Sequence, residues 1–199
     1  MPRRIDDDER RARLGRHHLL APGHHADAPI GVARALTAVH GTDPSSTMLG
    51  ILARSPGTSI ADVEAALYET RSLVRVLGMR RTIFAVPFEF APLIWSSFDA
   101  TVARDQRRLL AKALENNGIS AIDAWIGEAE DRLLAFLLAN PGASSTQIAG
   151  DDPYLSYRLP LNGPGTVSAS QSVASRLLTF MSADGRVIRA RPKGGWTST

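Results

Sequence analysis

The sequence of 199 residues contains no cysteine, and this absence removes several kinds of chemistry at once. Disulfide bonds, thiolate catalysis, iron–sulfur clusters and cysteine zinc sites are all excluded. No apolar run approaches the ~18 residues of a membrane-spanning helix, so no membrane segment is predicted. The first residues, Met-Pro-Arg-Arg and an acidic cluster, lack the apolar core of a signal peptide. We therefore expect a cytoplasmic protein.

Short motifs for nucleotide cofactors are missing as well. No G-x-G-x-x-G, P-loop or G-x-S-x-G pattern occurs, so no cofactor is predicted. The histidine pairs His17-His18 and His24-His25 are the candidates for a metal site. Adjacent residues on a helix point in different directions, and no H-E-x-x-H pattern accompanies them. We therefore predict no metal site.

Charged residues make up only 22% of the chain and hydrophobic residues 44%, which is typical of a folded protein with a buried core. The formal net charge is +3. A weakly basic balance permits nucleic-acid binding without requiring it. The position of the basic residues therefore matters more than their number.

The stretch from Val39 to Pro87 organises the chain, because its helix, helix, strand order is typical of a winged helix. Gly41 is expected to cap the helix before it, and Asp43-Pro44 to form a turn. Ser59 and Asp62 predict a capping box at the start of a later helix. The helices expected in this half of the chain span residues 10–20, 30–40, 46–54 and 59–70.

Two hairpins are expected, each following a helical pattern. The apolar, β-prone segment 73–86 predicts a first wing with its tip at 78–81. A second wing is expected over 186–199, with its first strand at Val187-Ile188 and its return strand at the end of the chain. Residues 151–170 are expected to form a loop. The helices expected in this half span residues 99–116, 122–139, 143–149 and 172–182.

These patterns predict a mainly α fold with small β-hairpins, in which tandem winged-helix (helix-turn-helix) domains are joined by a helical linker. The expected segments are a disordered or frayed N-terminus (1–9), a first winged helix (10–87), the linker (88–127) and a second winged helix (128–199). Because the chain stops inside the second predicted wing, its C-terminus looks truncated, as in a fragment of a longer protein.

The segments HGTDP, ILAR, DVEAAL and SLVRVLGMRRTIFAVP, in this order, resemble the winged-helix family that contains the bacterial AlkZ and YcaQ DNA glycosylases. The resemblance runs from about Arg11 to the C-terminus and is densest from Leu36 to Pro87. It implies a monofunctional DNA glycosylase that hydrolyses the N-glycosidic bond of alkylated purines, or unhooks interstrand crosslinks, in bacterial DNA repair. The implied partner is double-stranded DNA, alkylated or crosslinked. We expect a nucleoid-associated monomer.

The resemblance also implies the catalytic residues His40, Thr42 and Asp43. The family's Gln-hydrophobic-Gln or Gln-hydrophobic-Asp signature, which positions a water near the sugar carbon, coincides here with His40-Gly41-Thr42-Asp43. His40 can accept a hydrogen bond from that water and Thr42 can orient it. Both glutamine positions differ, and Gly41 replaces the hydrophobic residue. The alternative is that His40 caps a helix C-terminus, where a partly charged imidazole is favourable.

Basic residues on the predicted wings are candidates for DNA contacts, because arginine offers a planar fork of donors to phosphate. They are Arg75, Arg80, Arg81, Arg186, Arg189, Arg191 and Lys193. The alternative is a strand edge that charge keeps soluble. Four further basic residues are expected to form a solvated helix face: Arg104, Arg107, Arg108 and Lys112. The alternative function is a non-catalytic, regulatory winged-helix DNA-binding protein.

Overall fold

The computed structural model describes residues 3–78, 82–160 and 170–193. The chain divides into two compact units. The first unit contains the described residues up to Ile94 together with 191–193, and the second spans Trp95–Ala190. The predicted helical linker, 88–127, is therefore split between the two units. The predicted domain boundaries stay predictions.

Capping side chains set the start of several helices in the first unit. Its helices are α1 (Asp7–His17), α2 (Pro29–Leu36), α3 (Pro44–Leu52), α4 (Ile60–Glu64), which continues as a π-helical turn (Ala65–Glu69), and α5 (Ala91–Ile94). Asp6 accepts the Glu9 backbone N–H, so α1 begins at Asp7 rather than at residue 10. The predicted capping box is confirmed: Ser59 accepts the Asp62 N–H, and the Asp62 carboxylate accepts the Ser59 N–H.

A three-stranded antiparallel sheet completes the first unit. It consists of β1 (Val39–His40), β2 (Leu73–Leu77) and β3 (Ile83–Pro87), in the spatial order β1-β3-β2. The predicted hairpin over 73–86 is confirmed, whereas 79–81 at its tip lie outside the described residues. A buried cluster that includes Val32, Met48, Ile51 and Val63 packs with Leu73 and Ala85 of the sheet.

The predicted helix over 30–40 is wrong at its end. The helix α2 stops at Leu36, where Thr37 takes a positive φ of 67° that no α-helix continues through. Val39 and His40 then pair with Ala85 and Phe84 of β3. Gly41 consequently follows a strand and caps no helix. Helical spacing predicted the wrong element here because the partner strand lies more than forty residues away in the sequence.

The second unit is built around a long pair of helices. Its elements are α6 (Ala100–Asn116), α7 (Ile122–Ala139), α8 (Ser145–Ala149), β4 (Arg158–Pro160), β5 (Ser170–Ser172) and α9 (Val173–Ala183), and a π-helical turn (Trp95–Asp99) precedes α6. Leu110 and Leu114 of α6 pack with Leu133 of α7 and with Leu177 and Phe180 of α9 in one buried cluster. The first long helix is thus a core element of this unit.

The predicted second wing is not formed as expected. Val187 and Ile188 are not in a strand, and the residues from Gly194 onward lie outside the described ranges. After α9, Gly185 takes a φ of +75°, and the Arg186 and Val187 N–H groups donate to the Met181 carbonyl. These bonds close the helix end and occupy the N–H groups of Arg186 and Val187.

The second unit instead has its antiparallel pair before α9, where the sequence predicted a loop. Leu159 pairs with Gln171, flanked by the pairs Arg158 with Ser172 and Pro160 with Ser170. The sequence between these strands, 161–169, is outside the described ranges.

The prediction of a mainly helical fold with small antiparallel sheets is confirmed. Among the described helices, none combines the length and the apolar character that a membrane crossing needs.

Candidate active site

The turn between β1 and α3 carries the three predicted catalytic residues, and its geometry depends on Gly41. The Gly41 N–H donates to the Ile83 carbonyl at 2.7 Å. A Cβ at this position would lie 3.0 Å from the Ala85 nitrogen and 3.2 Å from the Phe84 carbonyl carbon. Any larger residue would therefore push the turn away from β3, which explains why glycine stands at the hydrophobic position of the signature.

A buried arginine holds the same turn from the other side. Arg75 lies on β2 with 6% of its surface exposed. Its Nε and Nη2 both donate to the Gly41 carbonyl, at 3.2 and 2.8 Å. Arg75 was predicted to contact DNA from the first wing. Its burial and these bonds leave little of the guanidinium for a phosphate, and its visible effect is to fix the position of the turn.

Two threonines fix the ends of the turn. The Thr47 hydroxyl donates to the His40 carbonyl at 3.0 Å, and the Thr42 hydroxyl oxygen accepts the Ile83 N–H at 3.2 Å. The Thr42 hydroxyl therefore keeps its own proton available for a second partner. Because Thr42 is exposed, that partner can be a water or a bound molecule.

Asp43 is the N-cap of α3. Its carboxylate accepts the Ser45 N–H at 3.1 Å, the Ser45 hydroxyl at 2.5 Å and the Ser46 hydroxyl at 3.2 Å. These bonds, the one from the Ser45 hydroxyl foremost, hold the pKa of Asp43 below its usual range. The carboxylate is consequently ionised and fixed at neutral pH.

His40 presents an exposed imidazole at the edge of the sheet. The ring stands edge-on to Phe84, with 6.2 Å between the ring centroids and 83° between the ring planes. The alternative that His40 caps a helix C-terminus is wrong, because His40 lies in β1 and the preceding helix ends at Leu36. An exposed imidazole, a free hydroxyl proton and an ionised carboxylate therefore follow one another on a rigid turn.

A comparison with protein-family models bears on what this turn does. The model described as DNA glycosylase AlkZ-like matches residues 33–199. The chain belongs to the AlkZ-like DNA glycosylase family. The match includes the turn and most of both units. No curated protein and no solved structure matches the chain significantly. Membership of the AlkZ-like family indicates a DNA glycosylase-type function with DNA as the partner.

The other basic residues predicted for DNA contact in this AlkZ-like protein are spread over both units. Arg80 and Arg81 lie outside the described residues. Arg186 and Arg189 belong to the second unit, whereas Arg191 and Lys193 belong to the first. The four residues of the predicted second basic patch are therefore divided between the two units.

Arg191 is engaged with the first unit. It forms ion pairs with Glu64 at 3.5 Å and Glu69 at 3.1 Å, and its guanidinium lies 5.6 Å from the centre of the Tyr68 ring. Lys193 is exposed.

The sequence interpretation missed a buried carboxylate in the second unit. Glu130 on α7 is 7% exposed and accepts hydrogen bonds from Arg107 and, at 2.5 Å, from Arg186. Arg107 had been assigned to a solvated face. The sequence does indicate this burial, because Glu130 falls on the same helical face as Ile126 and Leu133, which are buried. In the described parts of the chain, no group of three or more acidic or histidine side chains could hold a metal ion.

Proposed function

We propose that the chain hydrolyses the N-glycosidic bond of alkylated purines in DNA, or unhooks crosslinks made through such bases, with the β1–α3 turn as its active site. The observation that carries the proposal is that this turn combines a fixed backbone with exposed polar side chains. Residues at the family's signature positions stand on a segment whose backbone is fixed by Arg75, Thr47 and Ile83, while the His40 imidazole stays exposed. Fixed geometry around exposed polar groups is what a positioned water requires.

The proposed reaction requires the protein mainly to position a water, because the alkylated base is a good leaving group. Cleavage of the glycosidic bond develops positive oxocarbenium character on the sugar, and a held water attacks it. An N7-alkylated purine is already cationic and leaves readily. In this scheme the His40 imidazole accepts a hydrogen bond from the water and the Thr42 hydroxyl donates one to it. The Asp43 carboxylate, held by Ser45 and Ser46, supplies a fixed negative charge near the site.

The same proposal includes tandem winged helices. In the first unit, two helices and a three-stranded sheet of order β1-β3-β2 follow α2, with the β2–β3 hairpin in the place of a wing. In the second unit, the short helix α8 and the helix α9 stand for the helix-turn-helix pair. The proposed DNA contacts are Arg80 and Arg81 at the first hairpin tip and Arg186, Arg189, Arg191 and Lys193 near the C-terminus. Arg75 becomes a positioning residue.

Release of N7-methylguanine from duplex DNA tests the proposal. His40→Ala should lower the rate of base release by about 10²–10⁴-fold, the usual range for a positioned proton acceptor. Folding and affinity for undamaged duplex should change little, because the imidazole is exposed. Spontaneous depurination of the same duplex gives the background rate.

A second candidate is a non-catalytic, regulatory winged-helix DNA-binding protein. It is favoured by one observation: His40 and Thr42 replace both polar signature residues of the family. Base release at the background rate by the unmutated protein, on every alkylpurine tried, would establish this second function. Release that His40→Ala leaves unchanged would mean that the water is held by another group.

A further inference from the structure

The β4–β5 hairpin of the second unit borders a cleft of about 470 Å³. The cleft lies between α8, the hairpin and the first turn of α9. Hydroxyl and amide side chains dominate its described lining, which includes one arginine, Arg158, and no carboxylate. A lining of this composition suits an anion, since it offers many donors and no repelling charge.

Arg158 is held at the cleft with part of its guanidinium unused. Its Nε donates to the Ser170 hydroxyl and its Nη2 to the Ser170 carbonyl, each at 2.8 Å. Both partners are neutral, and within the described ranges no carboxylate forms an ion pair with Arg158. Arg107, Arg132 and Arg186 of the same unit all have such partners. Arg158 is thus a fixed, exposed cation, and no residue that the structure describes bonds its Nη1 group.

Neutral donors stand beside this cation. The side chains of Ser145, Thr146 and Gln171 line the cleft and make no side-chain hydrogen bond to any residue that the structure describes. Other polar groups of the lining are already used: Ser172 accepts the Ser175 N–H, and Ser156 donates to the Asp152 carbonyl. Two free hydroxyls and one free amide therefore accompany the guanidinium.

We propose that this cleft binds a phosphate group of the DNA backbone. The guanidinium supplies a planar, charged pair of donors, and hydroxyl and amide groups complete the shell around the phosphate oxygens. The inference rests on the proposed function in one respect, namely that DNA is the ligand. The candidate active site belongs to the first unit and this cleft to the second, and we assign the contact a role in binding.

The test is the binding of a fluorescently labelled, undamaged duplex by the 199-residue protein over a series of salt concentrations. Arg158→Gln should weaken binding severalfold and reduce the slope of log K against log salt by about 0.9, the value for one lost phosphate contact. The matched control is Arg104→Gln, which removes the same charge from an exposed position of α6 in the same unit. It should leave the slope unchanged. Equal effects of the two substitutions, or an unchanged slope for Arg158→Gln, would overturn the proposal.

A second variant covers the case in which loss of Arg158 unfolds the hairpin. Thr146→Ala combined with Gln171→Ala leaves the Arg158–Ser170 bonds intact. It should weaken binding while keeping the slope, because neutral donors release no counterions. Unchanged affinity in this variant overturns the proposal whatever Arg158→Gln does. Circular dichroism confirms that each variant is folded.

Titration with inorganic phosphate separates the two sources of the ligand. Heat of phosphate binding that disappears in Arg158→Gln, together with an unchanged DNA slope, would identify a site for free phosphate and overturn the DNA assignment. Because undamaged duplex requires no cleavage, the outcome is also independent of catalysis. If the protein binds DNA through Arg158 but releases no methylguanine, the proposed function is overturned and the proposed phosphate contact stands.

Discussion

At the residue scale, the carbonyl of Gly41 is the point on which the candidate active site depends. Arg75 is almost fully buried, and both of its short contacts go to this one oxygen. A buried cation is costly unless hydrogen bonds replace its hydration. The bidentate geometry offsets that cost and at the same time fixes the turn. No other side chain type carries the same planar pair of donors.

Arg75→Gln should therefore affect stability rather than DNA affinity. The substitution removes the charged donors to the Gly41 carbonyl, and hydrogen bonds of this kind contribute about 1.5–3 kcal/mol. We expect the free energy of unfolding in urea to fall by that amount, and base release to slow as the turn loosens. The salt slope of duplex binding should stay as in the unmutated protein. A slope reduced by about 0.9 with stability intact would show that Arg75 contacts a phosphate after all.

The residues of the candidate site are easier to predict from the sequence than the residues that hold them in place. His40, Thr42 and Asp43 follow from a motif, because a motif is local in the chain. Arg75 does not, because an arginine in a strand is normally exposed. Its burial depends on the pairing of β1 with β3, a contact between distant segments that helical spacing around Val39 concealed.

At the element scale, Glu130 joins three parts of the second unit. It lies on α7 and receives Arg107 from α6 and Arg186 from the segment after α9. Arg107 also lies over the Phe180 ring of α9, at 5.9 Å from its centre. Burial raises the pKa of the nearby Asp184 carboxyl, whose charge is disfavoured at the same place. One buried carboxylate thus compensates two arginines.

Glu130→Gln should destabilise the second unit by about 1–3 kcal/mol, the cost of leaving a charged hydrogen-bonding group without its partner. Fully buried pairs cost more, but both arginines are more than a third exposed and partly hydrated. Urea denaturation measures the change. Glu128→Gln on the same helix is the control, because its pair with Arg132 is exposed and should contribute less than about 1 kcal/mol. Equal effects of the two substitutions would mean that the buried network adds nothing.

Helices proved more predictable than strands in this chain. Their caps and spacing are local, so α7 and α9 lie close to where the sequence places them. The hairpin of β4 and β5 was missed because its residues, such as Ser170 and Gln171, have low strand propensity. The second wing was predicted with Val187-Ile188 as its first strand, yet neither residue is in a strand, and the preceding Gly185 ends α9.

At the scale of the whole molecule, the chain crosses from the first unit to the second after Ile94 and returns after Ala190. The return is marked by Arg191, which pairs with Glu64 and Glu69 of the first unit. A linear reading of the sequence assigns 191–193 to a second domain. The structure groups them with the first, because opposite charges and an aromatic face are available there.

Replacing Arg191 should therefore loosen the first unit and leave the second unchanged. In Arg191→Ala, two ion pairs and the contact with Tyr68 are lost. Half-exposed pairs contribute about 0.2–1 kcal/mol each, and an exposed cation–π contact about 0.5–1 kcal/mol. Hydrogen–deuterium exchange of the amides from Ile60 to Glu69 should accelerate severalfold.

Exchange in α6 and α9 should keep its original rate, since both helices belong to the second unit and Arg191 to the first. Arg104→Ala, an exposed change of the same charge on α6, controls for the general effect of removing an arginine. Faster exchange in α9 with no change between Ile60 and Glu69 would assign Arg191 to the second unit. Residues 191–193 would then belong with the second unit, as the sequence predicts, and Arg186, Arg189, Arg191 and Lys193 would lie in one unit.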